Sequence, residues 1–148
     1  MDPDHAAAQL GLAVRHLLQA GRHMQAAMAA RLGLRTTDLQ AIDHVVSAGE
    51  PIGPVELGQR LGIRSASATV LVNRLVRAGH LERRPHPGDR RRITLAATEH
   101  AHRSIRDALN PLLVNLATVT DNLDEQDLNR VLTVLSEVIG LMRAYGDA

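Results

Sequence analysis

The sequence predicts a mainly α-helical protein carrying one small β-wing, and three observations predict it. Apolar residues recur at helical spacing in six separate stretches that cover most of the chain. One segment, residues 79–95 (GHLERRPHPGDRRRITL), breaks that rhythm with two short β-prone runs around a Pro-Gly turn. The core must also be aliphatic, because the 148 residues include no Phe, no Trp and a single Tyr, Tyr145. Helix-on-helix packing tolerates that composition well, whereas a large sheet would recruit aromatic residues.

Each element has its own warrant. From Asp4 to Leu32, Leu10, Val14, Leu17, Leu18, Met24, Met28 and Leu32 define a long amphipathic helix ending at Gly33. Thr37 with Gln40 three residues on has the pattern of a capping box. It opens a helix carrying Leu39, Ile42, Val45 and Val46, stopped by Gly49-Glu50-Pro51. Residues 53–61 form a short helix with Pro54 in its first turn. After a tight turn at Gly62-Ile63-Arg64, residues 65–78 read as a helix with Arg77 in its last turn and Gly79 as C-cap.

The hairpin follows, with strands expected at His80–Arg84 and Arg91–Leu95. Thr98 then starts a long helix with Ile105, Leu109, Leu112, Leu113 and Leu116 on one side, and Asn110-Pro111 is expected to kink or restart it. The last helix begins near Asp124, with Asp124, Glu125 and Asp127 at its positive dipole end. Its stripe is Leu128, Val131, Leu132, Leu135, Val138, Ile139 and Met142.

The order α-α-α-α-β-β-α-α divides into an N-terminal helix (1–33), a central lobe (34–98) and C-terminal helices (99–148), all within one domain-sized chain. A monomer of this length would struggle to bury all three outer stripes. A homodimer with intertwined outer helices is the simplest resolution, so those helices are expected to be dimerisation arms.

Composition excludes several classes. The absence of cysteine rules out disulfides, thiolate catalysis and thiol redox sensing. No apolar run approaches the roughly 20 residues of a membrane span, and the N-terminus lacks the basic and apolar regions of a signal peptide. A cytoplasmic location without membrane association is the expectation. There is no phosphate-cradling Gly loop, no nucleophile with a partner and no metal triad, so an enzyme is not expected.

Charge is where the chain is unusual. Its formal net charge is only +1, yet residues 74–92 hold seven arginines against two acids, a net of +5 over 19 residues. All 17 basic residues are Arg. Codon bias in a GC-rich genome accounts for that total, and only the clustering carries weight. A basic hairpin placed directly after a helix has the shape to straddle a phosphate backbone and probe a groove. The central lobe therefore reads as a winged helix-turn-helix for double-stranded DNA.

In residues 65–78, Ala68, Leu71, Val72, Leu75 and Val76 make one apolar face. The other face offers Ser65, Ser67, Thr69 and Val70 near the helix start, then Asn73, Arg74 and Arg77. Small hydroxyl residues let a helix N-terminus sit deep in the major groove, where methyl groups can meet thymine. Arg74 and Arg77 suit phosphate contacts that fix register. The wing, 83–92, is expected at the minor groove, with Arg84, Arg90 and Arg91 as its DNA-binding residues and Arg90 or Arg91 entering the groove. Asp89 is read as a brace orienting a neighbouring Arg, since a bare carboxylate at DNA would be repelled.

Asp89-Arg90-Arg91-Arg92-Ile93-Thr94-Leu95-Ala96-Ala97-Thr98-Glu99-His100-Ala101 resembles the wing and following junction of the MarR family of bacterial winged-helix regulators. It departs at Ala97, where Leu is usual, and at Ala101, where Gly is usual. Leu71-Val72-Asn73-Arg74-Leu75, Gly79-His80-Leu81, Arg83-Arg84-Pro85 and Thr37-Asp38-Leu39-Gln40 are similar to other parts of the family pattern. Val70 stands where a polar or basic residue is common. The resemblance spans essentially the whole chain and is densest over 36–98.

It implies a homodimeric, ligand-responsive repressor on a pseudo-palindromic operator. The small-molecule effector would bind between the dimerisation helices and the DNA lobe. His16, His23, Met24 and His44 are the candidate lining residues, although the missing aromatics remove the usual stacking partners. With no Cys and no H-x3-H pair, no metal site and no cofactor are expected. The competing class is a winged helix that has lost DNA binding and docks a protein partner, against which the basic wing argues.

Overall fold

The computed structural model describes residues 2–146. It contains α1 (Pro3–Arg31), α2 (Thr36–Val46), α3 (Pro54–Arg60), α4 (Ser65–Arg77), β1 (Leu81–His86), β2 (Asp89–Ala97), α5 (Glu99–Thr120) and α6 (Glu125–Gly146). This is the expected mainly α architecture with one two-stranded antiparallel sheet. Compact packing divides the chain between Ala108 and Leu109 into two units.

The first unit is organised around α2, α3, α4 and the wing. Its core holds Ala41, Ile42, Ile52, Leu57, Leu71, Val72, Leu75, Leu81, Leu95 and Ala101, all aliphatic as composition requires. Leu57 lies on the buried side of α3, where Pro54 occupies the first turn and needs no amide partner. Gly62 and Gly79 adopt φ of 65° and 74°, the left-handed conformation that ends α3 and α4. Helices α3 and α4 approach closely: a Cβ on Gly58 would stand 2.9 Å from the Ala68 Cβ.

The wing is longer than the β-prone runs suggest. Pairing extends to His86 on one strand and back to Asp89 on the other, so the turn contracts to Pro87-Gly88. Pro85 is accommodated because a two-stranded sheet leaves a free edge for a residue without an amide hydrogen. A register irregularity falls between Pro85 and His86. The Leu95 amide donates to the Ile52 carbonyl at 2.8 Å, fastening the base of β2 to the α2–α3 connection.

Two expectations about helix ends change. The start of α2 lies two residues earlier than a Thr37–Gln40 box would place it. Arg35 is the N-cap, and its backbone N–H donates to the Asp38 carboxylate at 3.3 Å, so Asp38 fills the role expected of Gln40. Pro111 does not restart α5, which runs as one helix from Glu99 to Thr120. Thr98 does cap that helix, its Oγ1 accepting from the Ala101 amide at 3.1 Å.

The second unit holds the remainder of α5 and α6. Asp124 caps α6 by accepting the Asp127 amide at 2.8 Å. Its apolar residues stay exposed, among them Leu113, Leu116, Val131, Leu132, Leu135, Ile139 and Leu141.

Candidate DNA-binding surface

Helix α4 divides sharply by face. Ala68, Leu71, Val72 and Leu75 are buried at positions i, i+3, i+4 and i+7, which turns the intervening residues outward. Ser65, Ser67, Thr69 and Val70 are all exposed, Val70 by 62%. The Thr69 hydroxyl donates to the Ser65 carbonyl at 3.1 Å, leaving its oxygen lone pairs and methyl facing out. A groove beside this face is lined by Arg35, Thr37, Ile63, Ala66, Ser67 and Val70, with Leu71 and Arg74 completing it. Arg77 is exposed at the end of the helix.

Asn73 and Arg74, adjacent on α4, tie it in two directions. Arg74 donates from Nη2 and Nε to the two Asp38 carboxylate oxygens, at 2.5 and 3.2 Å. Asp38 is only 3% exposed, and its hydrogen bonding raises the Arg74 pKa further above the ordinary value. Arg74 is thus engaged inside the lobe through two of its N–H groups, with its side chain still a third exposed. Asn73 is half-buried, and its Oδ1 accepts from Arg83 Nη2 of β1 at 2.6 Å.

Along the wing, side chains alternate between the two sheet faces. Leu81 is buried in the core, and Arg83 shares its face and meets α4. Glu82 and Arg84 share the opposite face and form an ion pair. Arg84 there lines a cleft with Val45, Val46, Glu50, Pro51 and His102, on the side of the wing away from Asn73. Arg90 and Arg91 are exposed near the tip, and among the described residues neither they nor Arg77, Arg83 or Arg92 meets a carboxylate within ion-pair distance. The charge excess of the segment therefore stays largely unneutralised on the surface.

Asp89 braces the turn through the backbone. Its Oδ1 accepts from the Arg91 amide at 3.0 Å, and among the described residues no guanidinium forms an ion pair with it. His86 supports the same turn, Nδ1 accepting from the Gly88 amide at 3.0 Å. His16, His23 and Met24 stand exposed on α1 and His44 is half-buried on α2, and none of them lines either cleft of the lobe. Among the described residues no group of three potential ligands is placed to hold a metal ion, and no helix is long and apolar enough to cross a membrane.

Two residues of this surface lay outside the sequence-based selection. Asp38 falls four residues before Ile42, on the core side of α2, and a charged residue there signals a buried partner. Arg83 could have been separated from Arg84 by strand parity with Leu81.

The fold and this surface define a winged helix-turn-helix protein with a small-residue recognition helix and a basic wing. Residues 32–92 match the model of the MarR family. The chain is 32% identical over 120 residues to YcgE, an uncharacterised HTH-type transcriptional regulator of Bacillus subtilis (strain 168), covering 81% of this chain and 76% of that one. YetL, an HTH-type transcriptional repressor of the same strain, is 23% identical over 96 residues, covering 65% and 58%. The crystal structure of the transcriptional regulator Tm0710 from Thermotoga maritima is similar with a TM-score of 0.68 at 23% identity, over 95% of this chain and 99% of that one. The chain belongs to the MarR family of winged-helix transcriptional regulators, which are not enzymes.

Proposed function

We propose that the protein is a homodimeric, ligand-responsive repressor that recognises a pseudo-palindromic operator. Helix α4 enters the major groove with Ser65, Ser67, Thr69 and Val70 toward the bases, and the wing follows the backbone with Arg90 and Arg91 at the minor groove. The observation that carries this reading is the exposed hydroxyl-and-methyl face of α4 beside a wing in which Arg83, Arg90, Arg91 and Arg92 have no acidic partner among the described residues. A protein-docking wing would have no use for that uncompensated charge.

Dimerisation is supported by the uncovered apolar residues of α1, α5 and α6, including Leu17, Leu116, Leu132 and Leu135. A surface this apolar over three long helices exceeds what single scattered residues present on a monomer. Two recognition helices then read half-sites one helical turn apart, about 34–36 Å. The YetL name supports repression as the sign of regulation. Small-molecule control acts in this reading by altering the spacing of the two lobes.

The test selects binding duplexes from a random-sequence pool with the full chain, then measures affinity by fluorescence anisotropy across salt concentrations. A two-fold-related consensus with affinity falling steeply in salt is expected. Recovery of no enriched sequence would overturn the reading.

A further inference from the structure

We infer that Arg83, rather than its neighbour Arg84, is the β1 arginine that meets the DNA backbone, and that Asn73 of the recognition helix is the positioning residue that aims it. The inference rests on the DNA-binding reading above and names a contact within that site.

Strand parity separates the two arginines. Arg83 stands on the face of the wing that adjoins α4, while Arg84 stands on the opposite face with Glu82. Arg84 is neutralised by that pairing and lines the cleft behind the wing. Arg83 has no carboxylate partner among the described residues, and its hydrogen-bond partner Asn73 is uncharged. A guanidinium carries five N–H donors. One is engaged by Asn73 Oδ1 at 2.6 Å, so the full positive charge and the remaining donors are available to a phosphate.

The Asn73 contact also sets where that charge sits. It spans the recognition helix and the wing strand, the two elements that must address the same duplex. The next residue, Arg74, is anchored to buried Asp38, which fixes the part of α4 from which Asn73 projects. A long, rotamer-rich side chain is thereby held in one geometry before DNA arrives, reducing the ordering cost on binding.

The experiment measures the salt dependence of affinity for a selected duplex with the full-length wild type and with R83A, R84A, N73A and N73A/R83A. Far-ultraviolet circular dichroism melts confirm that each variant folds. R83A is expected to lower the magnitude of the log K against log salt slope by about 0.9 for each phosphate that Arg83 neutralises, and R84A to leave it unchanged. N73A is expected to weaken binding several-fold in the wild-type background and to have no further effect once Arg83 is gone. A slope lowered by R84A but not by R83A overturns the assignment. Additive effects of N73A and R83A overturn the positioning role, since a residue acting through Arg83 has nothing to act on in its absence. Wild-type protein that binds no duplex strikes the DNA-binding reading itself, an outcome distinct from wild-type binding with an unaltered R83A slope.

Discussion

Arg74 and Asp38, 36 residues apart in the chain, form a two-pronged ion pair that joins the recognition helix to the start of α2. The same carboxylate accepts the Arg35 amide and so caps α2. One buried acid thus orders two helices. Asp38→Ala should lower unfolding free energy by roughly 1–3 kcal/mol, less than for a fully buried pair because Arg74 can rehydrate. Urea titration of the two proteins at equal concentration checks this, and an unchanged midpoint would show the pair to be energetically idle.

Close approach of α3 and α4 depends on Gly58. An added methyl would meet the Ala68 Cβ at 2.9 Å, and both groups sit on helices that cannot yield locally. Gly58→Ala should destabilise the lobe by about 1–3 kcal/mol, as overpacking does. The thermal midpoint should fall even though alanine is the better helix former. A rise would mean that α3 has room to move.

His80 ties stability to pH. It is 8% exposed, its Nδ1 has no hydrogen-bond partner among the described residues, and its ring stacks on His100 with centroids 4.9 Å apart. Burial first, then the proximity of His100, push its pKa below the ordinary value, against an opposing pull from Asp38. The unfolded chain therefore binds the proton more readily. Stability is fully present above the ordinary histidine pKa of about 6.5 and declines as pH falls below it. Melting temperature should drop between about pH 7 and 5.5, above the carboxylate range, and drop less in His80→Leu. An equal drop in both proteins would assign the effect to other groups.

Much of the fold is legible in the chain. The span of α4 is bounded by Gly62 and Gly79, whose positive φ requirement is visible as glycine at both places. The aliphatic core follows from composition. Strand ends are not legible, because pairing across the wing, rather than the propensity of Pro85 or His86, decides where β1 stops. The α2 cap lies two residues from its expected place because the Thr37–Gln40 and Arg35–Asp38 patterns overlap, and the second also supplies the long-range partner of Arg74. Local spacing cannot reveal a partner 36 residues away. The division of labour between Arg83 and Arg84 is readable in principle, since Leu81 sets the parity of the strand.

Dimerisation should depend on the exposed stripe of α6. Leu132→Glu with Leu135→Glu places two charges among apolar residues that the proposed dimer buries between protomers. Sedimentation velocity should show the wild type as a dimer and the variant as a smaller species with much weaker operator binding. An unaltered sedimentation coefficient would place the dimer contact elsewhere.

Arg90 and Arg91, exposed at the wing tip, are the residues on which the proposed reading of DNA chiefly rests. Its most direct measurement is the affinity of Arg90→Ala/Arg91→Ala for a selected palindromic duplex, beside the wild type and at matched salt. The expected result is a weakening of about 1–3 kcal/mol for each arginine that meets a base edge, a shallower salt dependence and an intact dimer. Unchanged affinity and salt slope in a folded, dimeric variant would contradict it.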